Sequence, residues 1–333
     1  MEAWQIKAIP KVELHCHLDG SIQRQTLREI YQEQGLPLKF SDEELNQLMI
    51  ASKSCNLTEY INCFRIVAAG LHTKKALQIA LLDVVQQAVS ENIIYLEIRL
   101  SPLHLANADF SLEEVAEALI EACHLAEKQY PIKVRLIFCC MRRQLEKDNK
   151  KVIDLVKKYF GTVVAIDLAG DESKYPTCEY QDLFSYASRL GIPYTIHAGE
   201  TGDLQSALAA IDYGAQRIGH GIALMQSTEA LATVAKENIL LEMCPVCNIQ
   251  TGAAKSWESY PAALFLEQGV AFSFNTDNRT VSNTTLTNEF LQMNKHCFKL
   301  SAAAILQQTK NTIKYIFAEE KVKQELMAQI EKY

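Results

Sequence analysis

His15 and His17 stand one residue apart in HCHLDG, where an apolar run gives way to an acid and a glycine. Alternation along a strand points residues i and i+2 to one side, so the two imidazoles could grip one ion together. Further along, His197 and Glu200 fall in TIHAGE, His220 in RIGHGI, and Asp277 with Asn278 in NTDN. Three histidines and a carboxylate are a donor set that zinc accepts while leaving a position for water. A cation so held lowers the pKa of its water from ~15.7 to about 7, which makes a nucleophile at neutral pH. Spacing leaves open which three of His15, His17, His197 and His220 would ligate; the fourth could orient the water. Glu200 is free to move protons or to cap the helix that begins near 201–203. Desolvation would raise its pKa and a nearby cation would lower it.

These residues meet only if the fold gathers them. Eight short apolar or β-branched runs recur along the chain: 12–18, 93–100, 133–140, 163–168, 194–198, 217–222, 239–244 and 270–276. Between them lie stretches apolar at i, i+3 or i+4, such as 112–129, 149–160 and 227–238. Eight strands alternating with helices predict an α/β fold, a closed (β/α)8 TIM barrel. Its active sites lie at the carboxyl ends of the strands, and the unusual polar residues sit there: His15 and His17 after the first, Gly170 after the fourth, His197 and Glu200 after the fifth, His220 after the sixth, Asp277 and Asn278 after the eighth. About 74 residues separate the first two strands, and 25–35, 41–52 and 57–71 read as extra helices over the barrel mouth.

Composition narrows the function. The 333 residues, 48% hydrophobic and 22% charged, suit one domain spanning 1–333. No apolar run is long enough to cross a bilayer, and the opening MEAWQIKAIPKVEL lacks the pattern of an export signal, so a cytoplasmic location is expected. A net charge of −7 without a basic cluster argues against nucleic-acid binding and for a small-molecule substrate. Ten cysteines without a secretion signal read as reduced, mostly buried thiols. Cys244 and Cys247 have C-x-x-C spacing, but no second such pair accompanies them, so no metal or redox role is given to them.

HCHLDG, DLAGDE, TIHAGE, RIGHGI, CPVCNIQTGA and NTDNRTVSNTTLTNE together resemble the metal-dependent adenosine deaminases, the bacterial ones in particular, of the amidohydrolase superfamily. The resemblance implies one Zn2+ per subunit held by His15, His17, His197 and Asp277. It makes His220 the residue that orients the attacking water and shares its proton, and Glu200 the donor to purine N1 as C6 is attacked. Ammonia would leave, converting adenosine to inosine and 2′-deoxyadenosine to deoxyinosine in purine salvage. Gly170 would present its N–H to N3, and Asp19 would accept from the ribose 5′-hydroxyl while repelling a 5′-phosphate. Some relatives carry a second aspartate where this chain has Asn278; an amide can still donate to N7. No catalytic role is attached to CPVCNIQTGA.

Three other enzymes could share such a chain. An adenine deaminase would not need Asp19 for a ribose, and an N6-modified nucleotide deaminase would find Asp19 repelling its phosphate. Two-metal relatives use a carboxylated lysine on the fourth strand, which VVAIDL lacks. A catalytically idle nucleoside-binding barrel would not need the complete set of His15, His17, His197, Glu200, His220 and Asp277. Ser101 either lines the pocket or packs a loop, whereas His72, His104, His124 and His296 are expected at the surface or in packing.

Overall fold

The computed structural model describes residues 1–52 and 55–333. Eight strands occupy the anticipated positions: β1 (Lys11–His17), β2 (Ile93–Leu100), β3 (Lys133–Met141), β4 (Val163–Ala169), β5 (Thr195–Ala198), β6 (Arg217–His220), β7 (Leu240–Met243) and β8 (Ala271–Phe274). All neighbouring pairs are parallel, in the orders β1-β2-β3-β4 and β5-β6-β7-β8. Single bridges join the two halves, Ile166 to Tyr194 on one side and Cys16 to Asp277 on the other, and they close a (β/α)8 barrel.

The closing seam passes through the residues of interest. His17 N–H donates to Asp277 O at 2.7 Å, and Asp277 N–H donates to His15 O at 2.9 Å. The register of β1 against β2 slips between Glu13 and Cys16, a bulge of the kind that re-aims side chains beside a site.

Helices cover the outside of the barrel and supply the apolar core against the strands' outer faces. Leu112–Gln129 matches its amphipathic stretch, and it begins where Ser111 and Glu114 form a reciprocal cap. Glu146–Lys158 and Thr228–Lys236 lie within three residues of the predicted bounds. Val12, Leu14, Ile94, Tyr95 and Leu240 pack with Ile313, Leu326 and Ile330 of the last two helices and with Ile316 between them, which seals the amino end.

The long first interval holds helices Arg24–Glu33, Asp42–Met49, Leu57–Asn62, Arg65–Ala68 and Lys74–Ser90. The last of these packs on Leu112–Gln129 as part of the outer ring. The stretch 57–71, predicted as one helix, is broken. Cys63 N–H turns to Tyr60 O and Phe64 N–H to Ile61 O, and this tightening ends the first helix and brings the Phe64 ring to 6.5 Å from that of His17.

Candidate metal centre and active site

His15, His197, His220 and Asp277 present ligand atoms that all lie within 4.8 Å of one another, and all four residues are buried. His17 joins them at shorter range. Its Nε2 is 3.2 Å from His197 Nε2 and 3.3 Å from Asp277 Oδ1, while His15 Nε2 is 3.2 Å from the same oxygen. Two overlapping tetrads therefore share His15, His197 and Asp277, with His17 or His220 as the fourth corner.

Several of these atoms lack hydrogen-bond partners although they are buried: His15 Nε2, His220 Nε2 and Asp277 Oδ1. Orphaned donors and acceptors aimed at one another are costly unless something sits between them. Ligand atoms each ~2.1 Å from a tetrahedral ion stand roughly 3.4 Å apart, close to the 3.2–3.3 Å that separates His17 from His197 and Asp277, and His15 from Asp277. The residues present fit a metal ion.

A second layer orients this set. His15 Nδ1 is 2.9 Å from Glu242 Oε2, and His197 Nδ1 is 2.8 Å from Asp167 Oδ2. Arg99 bridges the two carboxylates at 2.7 and 2.8 Å, and Arg217 reaches Glu242 Oε1 at 2.7 Å. A carboxylate beside Nδ1 accepts a hydrogen bond from the ring N–H, which keeps the proton on Nδ1 and leaves Nε2 as a lone pair for a metal. Burial alone would raise Asp167, but His197 and Arg99 overcome it and hold the carboxyl far below its ordinary range. Burial, reinforced by Arg99 and the neighbouring imidazoles, keeps His15, His17 and His220 well below 6.5. Neutral imidazole is the form that ligates.

Sequence reasoning missed Arg99, Asp167 and Glu242. Their signal is a charged residue in the middle of an apolar strand, as in IIYLEIRL, VVAIDL and ILLEMC, where a barrel interior is the only place for it.

Glu200 is 5% exposed, and His220 Nε2 lies 3.7 Å from its Oε1. Burial, then Asp277 and Glu172, push its carboxyl well above the ordinary value against the opposing pull of Arg142. Glu172 also fixes the backbone on either side, accepting from Gly199 N–H at 2.6 Å and Thr201 N–H at 3.0 Å. The capping role falls to Asp203, whose Oδ1 accepts from Gln205 N–H at the start of Leu204–Asp212.

His220 and Asp277 both have positive φ, 63° and 59°, in the left-handed region that non-glycine residues rarely occupy. Gly219 beside them is a requirement of packing. A Cβ there would stand 3.1 Å from His15 Cε1 and 3.2 Å from His197 Cα.

Above this cluster a cleft opens at the carboxyl ends of the strands, lined by His17, Asp19, Ser101, Gly170, His197, Glu200, Asp277 and Asn278. Leu57, Tyr60, Ile61 and Phe64 of the long first interval wall it, so that insertion does cover the mouth. Ser101 Oγ is buried there without a partner. Gly170, at φ 108°, adopts a backbone that a side chain would strain. Burial pushes the Asp19 carboxyl up to about 6. Asn278 commits one amide N–H to Tyr60 Oη at 3.1 Å, which leaves its other N–H.

His104 is exposed, as expected of a surface residue, but it also lines the rim of the cleft. The other three histidines do pack or lie outside: His72 Nδ1 is 3.0 Å from Leu105 O, His124 faces Thr162, and His296 stacks on Trp257. A roomier apolar cavity of about 580 Å³ lies by the starts of β7 and β8, away from this chemistry.

Residues 10–333 match the sequence profile of the Adenosine deaminase family. An adenosine deaminase of Enterococcus faecalis is 39% identical over 315 residues, covering 94% of this chain and 93% of the relative. Among solved structures, an Arabidopsis N6-mAMP deaminase superposes with a TM-score of 0.88 at 25% identity over the full length of both chains. An adenine deaminase of Arthrobacter aurescens shares the fold, with a TM-score of 0.89 at 23% identity over 98% of this chain and 99% of its own.

Proposed function

The chain belongs to the adenosine deaminase family, and on that premise we propose that it hydrolyses the 6-amino group of adenosine and 2′-deoxyadenosine, releasing ammonia and leaving inosine or deoxyinosine. The observation that carries the reading is Glu200, buried and 3.7 Å from His220, beside a convergent set of three imidazoles and a carboxylate.

We assign one zinc ion per chain to His15, His17, His197 and Asp277, because contacts of 3.2–3.3 Å link His197 to His17, His17 to Asp277 and Asp277 to His15, about the separation of neighbouring ligands on a tetrahedral ion. Bound there, the cation would supply a water acidic enough to attack at neutral pH. Burial pushes the Glu200 carboxyl up, which favours the form that carries a proton, and Glu200 donates that proton to N1, so that negative charge does not accumulate on the ring as C6 becomes tetrahedral. His220, its Nε2 3.7 Å from Glu200 Oε1, orients the attacking oxygen. Asp277 serves twice, as ligand and as the carboxylate that accepts from that oxygen. Gly170 lets the flat purine come close enough for an N–H contact at N3, and the Asn278 amide, at the cleft wall, can donate to N7.

Asp19 decides among related substrates. Its carboxylate accepts from a ribose 5′-hydroxyl and repels a 5′-phosphate, so a nucleoside is preferred to a nucleotide and to the free base. The acidic chain offers no footing for nucleic acid, and no helix among the described residues is long and apolar enough to cross a membrane; we place it in the cytosol. The test is turnover of adenosine, deoxyadenosine, adenine, AMP and N6-methyl-AMP, followed by ultraviolet absorbance. The nucleosides should be consumed fastest. Faster turnover of adenine or of either nucleotide would reassign the substrate, and no turnover of any by metal-loaded protein would refute the enzyme.

A further inference from the structure

The motif CPVCNIQTGA forms the short helix Pro245–Gln250 after β7 and contributes one polar side chain to the centre. Asn248 is fully buried, and its Nδ2 lies 2.9 Å from His220 Nδ1. We propose that Asn248 is a positioning residue for the deamination: its amide N–H donates to His220 Nδ1, so the ring proton stays on Nε2 and this imidazole faces the cation site as a donor rather than a ligand. The inference rests on the function proposed above and extends it to a residue outside the reacting set.

The amide's direction follows from its other contact. Tyr260 is 4% exposed, and its hydroxyl donates to Asn248 Oδ1 at 3.1 Å. Reversing the amide would leave that buried hydroxyl proton without an acceptor among the described residues. The helix is held in turn by Glu289, which accepts from Val246 N–H at 3.0 Å, and by Ala254 N–H, which donates to Asn248 O at 3.0 Å.

Partner chemistry thus sorts the rings. His15 and His197 have carboxylates at Nδ1, which draw the proton there and free Nε2 as a lone pair. His220 has an amide donor at the same atom, which reverses the assignment. A ring with its proton on Nε2 cannot bind a cation through that nitrogen, and it can hold the oxygen of an attacking water in place. Such a division explains why four histidines converge where three imidazoles and a carboxylate suffice.

The experiment compares zinc-loaded wild type with N248D, N248A, H220A and the double variant N248D/H220A. Nitrogen-15 spectra of histidine-labelled protein give the tautomer, the His220 signals being those that H220A loses. In wild type the His220 proton should be on Nε2, and in N248D on Nδ1. Holding a catalytic histidine in the wrong tautomer has cost a hydrolase about 10⁴ in turnover, so N248D should lose at least ~10²-fold in kcat with KM and zinc content little changed. N248A, which removes the donor without adding charge, should lose about tenfold, and it serves if N248D does not fold. In the H220A background N248D should cost nothing more, because Asn248 acts through His220. The proposal is overturned by a wild-type proton on Nδ1, by wild-type kcat in N248D and N248A, or by an equal loss from N248D with and without His220. The spectra decide it even if adenosine is not the substrate.

Discussion

Glu200 and Asp277 are both buried carboxyls, yet their neighbours assign them different work. Asp277 touches two imidazole nitrogens at 3.2 and 3.3 Å, whereas Glu200 stands 3.7 Å from a single one, that of His220, among the described residues. Glu200→Gln should therefore keep the metal and lose about 10²- to 10⁴-fold in kcat, the range for removal of a general acid. Asp277→Ala should lose metal as well as turnover; metal analysis beside kinetics separates the two variants. Retained turnover in Glu200→Gln would remove the acid role. These residues were legible in the sequence because imidazoles and acids at successive strand ends are unusual. The choice between His17 and His220 was not, since it depends on what touches Nδ1 of each ring, and Asn248 comes from a motif that spacing had given no task.

Among the elements, the strands were the most legible, because each is a short apolar run bounded by turn residues. The charged layer inside them was less so. Arg99 on β2 lies between Asp167 of β4 and Glu242 of β7, all three fully buried, and these carboxylates hold the histidine rings. Arg99→Met would leave Asp167 without its arginine and Glu242 with Arg217 alone. Breaking a buried pair in this way costs on the order of 3–5 kcal/mol, so chemical denaturation should show a loss of that size along with weaker metal binding. An unchanged denaturation midpoint would mean that the acids are neutralised elsewhere. The helical stretch 57–71 was misread as continuous because helix periodicity does not reveal where N–H groups shift to i−3 partners, and that break delivers Phe64 to the cleft.

At the scale of the whole molecule, strands far apart in sequence must close on one another before any site exists, and the Cys16–Asp277 bridge closes the barrel at the site itself. Glu289 ties the helix Leu286–His296 to the loop after β7, accepting from Thr284 Oγ1 at 2.7 Å and Val246 N–H at 3.0 Å. Burial pushes its carboxyl up to about 8, from about 4.5 in the unfolded chain. The folded state thus binds more protons than the unfolded one between these values. Its contribution is full below pH ~4.5 and is lost as pH rises toward 8. Glu289→Gln should flatten the fall in stability across that window, as read by denaturation at several pH values; an unchanged slope would place the titration elsewhere.

Barrel topology was readable from the count and alternation of elements, but closure through a single bridge was not, because a strand pattern does not show which edge pairs meet. The most direct test of one catalytic cation per chain is to strip the protein of metal and titrate zinc back while following adenosine turnover. The expected result is no activity at the start, a linear rise, and a plateau at one zinc per chain. Full activity in metal-free protein, or a plateau only at two ions, would contradict it.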